Sequence, residues 1–316
     1  VNLSTATEAD VVLNLATATD GSYTAESDDI GTITATYNDG VSDVPLTITD
    51  GNITLPAGVT EFKVTVVTTQ DDIFEGSEIF GVTVTDNNNV TTNGSATGVG
   101  TILDDGSGPD PDPDDDRPEL SITPAVSVDE GTGAMFTVNL STATEADVVL
   151  NLATATDGSY TAESDDIGTI TATYNDGVSD VPLTITDGNI TLPAGVTEFK
   201  VTVATTQDDI FEGPETFGVT VTDNNNVTTN GSATGVGTIL DDGSGPDPDP
   251  DDDRPTLSIT PAVSVDEGTG AMFTVNLSKE TEADVVLNLA TATDGEYSAE
   301  EGDIGALTAT YNDGVS

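Results

Sequence analysis

The sequence predicts an all-β protein built of tandem two-sheet β-sandwiches joined by acidic Pro/Asp linkers. Three observations carry this reading: an internal repeat, apolar residues that alternate with period 2 inside it, and a Pro/Asp-rich segment that recurs once per repeat. Val1-Asn2-Leu3-Ser4 returns as Val138-Asn139-Leu140-Ser141 and again as Val275-Asn276-Leu277-Ser278, a period of 137 residues. Residues 1–137 and 138–274 differ at four positions only: Val67/Ala204, Ser77/Pro214, Ile79/Thr216 and Glu119/Thr256. The third copy carries eight changes between Lys279 and Leu307. Copies this alike argue against domains that divide labour and for length, multivalency or spacing as the product.

The frame of the repeat is set by its linkers. Residues 106–118 (Gly106-Ser107-Gly108-Pro109, then Asp110, Pro111, Asp112, Pro113 and Asp114-Asp115-Asp116-Arg117-Pro118) read as a linker, and 243–255 repeat it. One complete unit therefore spans 119–242. The unit at 1–105 lacks the counterpart of 119–137, and the unit at 256–316 lacks the counterpart of 180–242. Two expectations follow: the chain is a window on a longer repetitive protein, or neighbouring molecules complete each other's split units by strand exchange.

Within the complete unit the strands are expected in this order. Leu120-Ser121-Ile122 opens it. Ala134 to Leu140 follows, with Phe136, Val138 and Leu140 on one face, and then Val148 to Leu152. Next come Gly168 to Tyr174 and Val181 to Ile185, then Glu198 to Val203, Phe217 to Val221 and Ala233 to Leu240. Threonine dominates the opposite face, as a solvated pleated surface favours. Asp157-Gly158, Asn175-Asp176-Gly177, Asp187-Gly188 and Asp223-Asn224-Asn225-Asn226 supply turns between the runs. No segment has helical spacing of useful length. Seven or eight short strands in 124 residues make a sandwich, and that length buries an adequate core.

Composition bounds the chemistry. There are 58 acidic residues against five basic ones (Lys63, Arg117, Lys200, Arg254 and Lys279), no histidine, and a formal charge of -53. Salt bridges cannot neutralise such an excess, so the carboxylates must be solvated, protonated or bound to cations. A charge of this sign repels nucleic acid and anionic membrane, and no apolar run approaches the ~20 residues of a membrane helix. Cysteine is absent. That leaves the cytosol open and equally fits a secreted bacterial protein stapled by metal in place of disulfides.

The carboxylates gather at strand ends and turns: Asp129-Glu130; Glu163, Asp165 and Asp166; Asp208-Asp209 with Glu212 and Glu215; and Asp241-Asp242. At one end of a sandwich they would repel strongly unless a hard cation sat among them. Calcium accepts six to eight oxygens in irregular geometry; zinc lacks its usual His or Cys here, and magnesium keeps more water. Each pair alone is an ordinary solvated turn, since Asp favours turns. Asp241-Asp242 leads straight into the linker, at a hinge position. In the linker, Pro111 and Pro113 hold the backbone extended. Its aspartates make it either a solvated semi-rigid spacer or a segment that calcium ties to the domain end.

Four motifs, in order, resemble the Calx-β domain: Val128-Asp129-Glu130-Gly131; Phe136-Thr137-Val138-Asn139-Leu140-Ser141; Asp208-Asp209-Ile210-Phe211-Glu212-Gly213-Pro214-Glu215-Thr216-Phe217; and Gly237-Thr238-Ile239-Leu240-Asp241-Asp242. The resemblance spans the whole unit. It implies an immunoglobulin-like calcium-binding sandwich, found in sodium–calcium exchangers, an integrin β subunit and tandem arrays of RTX-type bacterial adhesins. It also implies Ca2+ ligands at Glu130, Asp208, Asp209, Glu212, Glu215, Asp241 and Asp242, with Asp165 and Asp166 beside them. The same positions in the other copies are Asp28, Asp29, Asp71, Asp72, Glu75, Glu78, Asp104, Asp105, Glu267 and Asp303. The family's Gly-x-Asp-Tyr motif is replaced here by Glu163-Ser164-Asp165-Asp166-Ile167, and Asp165 becomes Gly302 in the third copy.

The expected function is a calcium-rigidified extender or filament segment of a giant bacterial cell-surface, extracellular adhesion protein, of the kind that serves biofilms. Its expected partners are neighbouring repeats of its own chain and like chains in a filament, with no nucleic acid and no membrane insertion in this segment. Two alternatives are a repeat that itself binds glycan, ice or a host surface with avidity, and a calcium-sensor module. Catalysis is not expected: without His or Cys the common hydrolytic triads are excluded.

Overall fold

The pleat of a β-strand sends successive side chains to opposite faces, so the alternation of Val, Leu, Ile and Phe with Thr and Asn sorts itself into a buried and a solvated surface. The computed structural model describes residues 1–109, 114–248 and 251–312. The first unit contributes β1 (Val11–Ala18), β2 (Ile30–Asn38), β3 (Asp43–Leu46), β4 (Asn52–Leu55), β5 (Lys63–Thr68), β6 (Glu78–Thr85) and β7 (Ser95–Ile102). The middle unit contributes β8 (Leu120–Ile122), β9 (Ala125–Asp129), β10 (Gly133–Leu140), β11 (Val148–Ala155) and β12 (Ile167–Asn175). It continues with β13 (Asp180–Leu183), β14 (Asn189–Leu192), β15 (Glu198–Thr205), β16 (Glu215–Asp223) and β17 (Ser232–Leu240). The third holds β18 (Leu257–Ile259) and β19 (Val275–Leu277). Among the described residues no helix is long and apolar enough to cross a membrane.

The middle unit is a sandwich of two five-stranded sheets, ordered β13-β12-β15-β10-β8 and β14-β11-β16-β17-β9. Two of its strands, β9 and β14, go beyond the eight read from the sequence. Strand β9 exists because the chain changes sheets at Pro124. Proline offers no N–H to continue the ladder of β8 on β10, and from Ala125 onward the backbone pairs in parallel with β17, Ala125 opposite Val236 and Asp129 opposite Leu240. This crossing carries Asp129 and Glu130 to the end of β17, where Glu130 N–H donates to Leu240 O at 3.1 Å. Strand β14 is four residues long and sits after the Asp187-Gly188 turn, where Asp187 has a positive φ of 50°.

Phe136, Phe199 and Phe217 fill the space between the sheets. Phe136 and Phe217 meet edge-on, ring centroids 6.4 Å apart at 78°, a favoured aromatic geometry. Gly237 on β17 makes room for this pair: a Cβ there would lie 2.3 Å from the Phe217 ring.

The first unit repeats this pairing in two smaller sheets, β4-β1-β6-β7 and β3-β2-β5. Its β5 and β7 lack the partners that β10 and β9 give their counterparts, and Val99 on β7 is 64% exposed. Among its described residues the third segment forms one strand pair, β18–β19, and a short 3-10 turn at Glu301–Asp303, with Met272 83% and Val286 93% exposed. Neither terminal unit closes its own sandwich.

Of the two readings left open for the linkers, a semi-rigid spacer or a segment tied to the domain end, their described parts lie back along the domain. Asp105 pairs with Asp115 and Asp242 with Asp252 as antiparallel bridges, so each linker leaves its domain and returns alongside. Gly106 and Gly243 make the reversal at φ of 70° and 69°, a region open to glycine without steric penalty. Arg117 forks onto both oxygens of Asp115 at 2.8 Å, and Arg254 does the same to Asp252. Asp110, Pro111, Asp112 and Pro113, on which the extended reading rested, lie outside the described residues. Each unit then meets the next through the backbone. Glu145 N–H donates to Phe74 O at 3.1 Å, and Glu282 N–H donates to Phe211 O at 3.1 Å.

Candidate metal centre

The acidic residues converge at the end of the sandwich where β9 and β17 finish and where the β11–β12 and β15–β16 loops turn. Glu163 and Asp166 come from the first loop, and Glu163 N–H caps the Asp166 carboxylate. Asp208, Glu212 and Glu215 come from the second. Backbone donors fix them: Asp208 N–H to Glu130 Oε1 at 2.8 Å, and Glu212 N–H to Asp241 Oδ2 at 2.9 Å.

Three groups of oxygens in and beside the middle unit lie within 4.8 Å of one another: Glu163, Asp166 and Glu215; Glu163, Glu212 and Glu282; and Glu130, Asp251 and Asp253. A fourth, Glu26, Asp29 and Glu78, repeats the first of these in the first unit. The second group takes Glu282 from the next repeat, placed by the backbone bond to Phe211. The third takes Asp251 and Asp253 from the linker.

Crowding of like charge out of water favours the protonated form. Burial pushes the Glu215 carboxyl up to about 9, with Asp166 adding to it. Burial likewise raises Glu78 to about 8, and Glu130 and Glu212 to about 7 each. Asp241 rises to about 6 from the same cause, against the pull of the Glu212 N–H. Glu75 of the first unit and Asp116 of the linker after it rise to about 7, again chiefly by burial.

Several carboxylate oxygens are buried with no hydrogen-bond partner: Glu78 Oε2, Asp129 Oδ1, Glu215 Oε2, Asp241 Oδ1 and Asp253 Oδ2. Buried polar atoms ordinarily find a donor. A carboxyl oxygen left without a donor among other carboxyls suits a cation, which would take the place of the retained proton, and a donor set of oxygens alone suits calcium. The residues therefore fit the ion the sequence led us to expect.

Of the positions expected from the sequence, the structure groups Glu130, Asp166, Glu212, Glu215, Asp29 and Glu78. Asp208 and Asp241 bond within the same network. Asp71, Glu75 and Asp104 occupy the equivalent places in the first unit, where Glu75 N–H donates to Asp104 Oδ2 at 2.9 Å. Asp242 and Asp105 turn away to Ser244 and Ser107, whose bonds hold both carboxyls below their usual range. Asp165, Asp28, Asp209 and Asp72 are exposed and join no group. Glu267 and Asp303 are exposed in the third segment, which lacks the strands that would gather them.

Glu26, Asp251, Asp253 and Glu282 were not singled out from sequence, and Glu163 was noted only as part of its acidic loop. The persistence of Glu26, Glu163 and Glu300 in all three copies was the one available signal. The linker and cross-unit residues needed the fold.

The Calx-beta domain profile matches residues 6–106 and 114–243. No curated protein sequence matches the chain. Among solved structures, a crystal structure of CBD12 from CALX1.2 aligns over 74% of this chain and 88% of its own, at 14% identity and a TM-score of 0.25. The zebrafish RET cadherin-like domains 1 to 4 align over 66% and 41%, at 14% identity and 0.25. A mutant of the CFA/I enterotoxigenic E. coli adhesin CfaE aligns over 75% and 88%, at 10% identity and 0.30. Scores this low carry no argument about this chain.

Proposed function

Because the chain belongs to the Calx-β domain family, whose modules bind calcium, we propose that it is a calcium-stiffened extender from a large bacterial surface adhesin. On this reading the repeats act outside the cell, each gripping the next, and like chains associate into filaments. The observation that carries it is the Glu163, Glu212 and Glu282 group, whose oxygens come from two successive repeats. An ion bound there links one unit to its neighbour, because it holds ligands from both. A binder of glycan or ice does not need carboxylates from two units in one cluster.

The mechanism is linkage. Calcium binds the folded units and not the unfolded chain, so a site held at about 100 times its dissociation constant adds roughly 2.7 kcal/mol to folding. Several sites per unit convert a self-repelling chain of charge -53 into a stable one where calcium is millimolar. Calorimetry of the whole chain in calcium and in EDTA tests this, with X-ray scattering in parallel. The melting temperature should fall sharply without calcium, and the scattering should report looser, more variable spacing between units. Identical melting and scattering in both conditions would sink the reading.

A further inference from the structure

We propose that the linker after the middle unit closes a divalent-cation site of its own, with Asp251 and Asp253 of the linker and Glu130 at the end of β9 as ligands. This rests on the calcium reading above and adds a site to it, since a linker of prolines and aspartates would otherwise be a solvated spacer.

Oxygens of Glu130, Asp251 and Asp253 lie within 4.8 Å of one another. Calcium bonds oxygen at about 2.3–2.6 Å, so ligands of one ion stand up to about 5 Å apart, whereas magnesium at about 2.0–2.1 Å needs them closer. Asp253 is 2% exposed, far from a solvated linker residue, and its Oδ2 has no hydrogen-bond partner. Its other oxygen meets the Lys279 ammonium of the following unit. Next to it Asp241 is 3% exposed with Oδ1 likewise unpartnered. Leaving charged oxygens buried without donors is costly unless a cation compensates.

The linker backbone is held for this purpose. Asp252 bridges to Asp242 and faces out to Arg254, while the Gln207 amide reaches Asp251. Asp252 is exposed, so the alternation along the returning strand sends Asp251 and Asp253 toward the domain. Occupied, the site clasps the linker to the middle unit and, through Asp253, to Lys279 of the next.

Equilibrium dialysis of the whole chain against calcium tests the assignment. Asp251→Asn with Asp253→Asn should lower the number of ions bound by one, Glu130→Gln should do the same, and the triple variant should lose no more. The proposal is overturned if the 251/253 variant binds as many ions as tightly as the unaltered chain. If the unaltered chain binds none, the calcium function fails instead. An NMR titration needs no variant: calcium should shift the amides of residues 251–254, and their silence through saturation would also overturn it.

Discussion

Glu215 opens β16 with its carboxyl pushed up to about 9, Glu78 with its own at about 8, and Glu130 and Glu212 near 7. All four stand above the ordinary glutamate value of 4.5. Between 4.5 and those raised values the metal-free native chain holds protons that the unfolded chain has released. Its stability therefore falls as pH rises through that window. Melting in EDTA should drop steadily from pH 5.5 to pH 8.5, and saturating calcium, by taking the place of the protons, should flatten the curve. Glu215→Gln separates the two roles of the side chain. It should raise the melting temperature in EDTA at pH 8, because the folded chain no longer has to hold a proton that the unfolded chain has released, and lower it in calcium, because a ligand is gone; differential scanning calorimetry reads both. Lys279 offers the converse. Its ammonium shares Asp253 with the proposed linker ion, and Lys279→Met should tighten calcium at that site by up to about tenfold, measured by titration calorimetry. At this scale the sequence showed the ligands that one loop supplies, such as Glu212 and Glu215, because their spacing is local. It hid Glu282, which a backbone bond between units brings to the site, and it left the linker aspartates between a solvated spacer and a calcium tie, because the doubling back that places Asp253 is not written in local spacing.

Strands long enough to alternate were legible, and short ones were not. The runs from Ala134 to Leu140 and from Ala233 to Leu240 became β10 and β17 with their apolar face inward. Strand β14 is too short to show a period, and β9 owes its place to the sheet change at Pro124 and to its parallel pairing with β17. The linkers were left between two readings for a related reason. Proline and like charge favour extension locally, but Gly243 reverses the chain and Asp242 and Asp252 pair across it. The alternation places Gly237 in a strand but does not show why the residue is glycine. It is a packing residue within β17, and Gly237→Ala should destabilise the middle unit by about 1–3 kcal/mol through overpacking against Phe217. Thermal melting of the variant in saturating calcium checks this, and a change within experimental error would show that β17 shifts to accommodate the methyl.

With 58 acidic residues and five basic ones, the chain without calcium is a row of folded units that repel one another. Exposed charges are screened within ~8 Å at physiological ionic strength, so sodium chloride should raise the melting temperature in EDTA and have much less effect once calcium is bound. A salt series in each condition measures this directly. Both junctions employ one contact: Phe74 O receives Glu145 N–H, and Phe211 O receives Glu282 N–H, each at 3.1 Å. A recurring backbone contact gives every added copy the same step, so the span of the array grows in proportion to copy number. Duplication alone then adds a unit together with the backbone coupling that seats it.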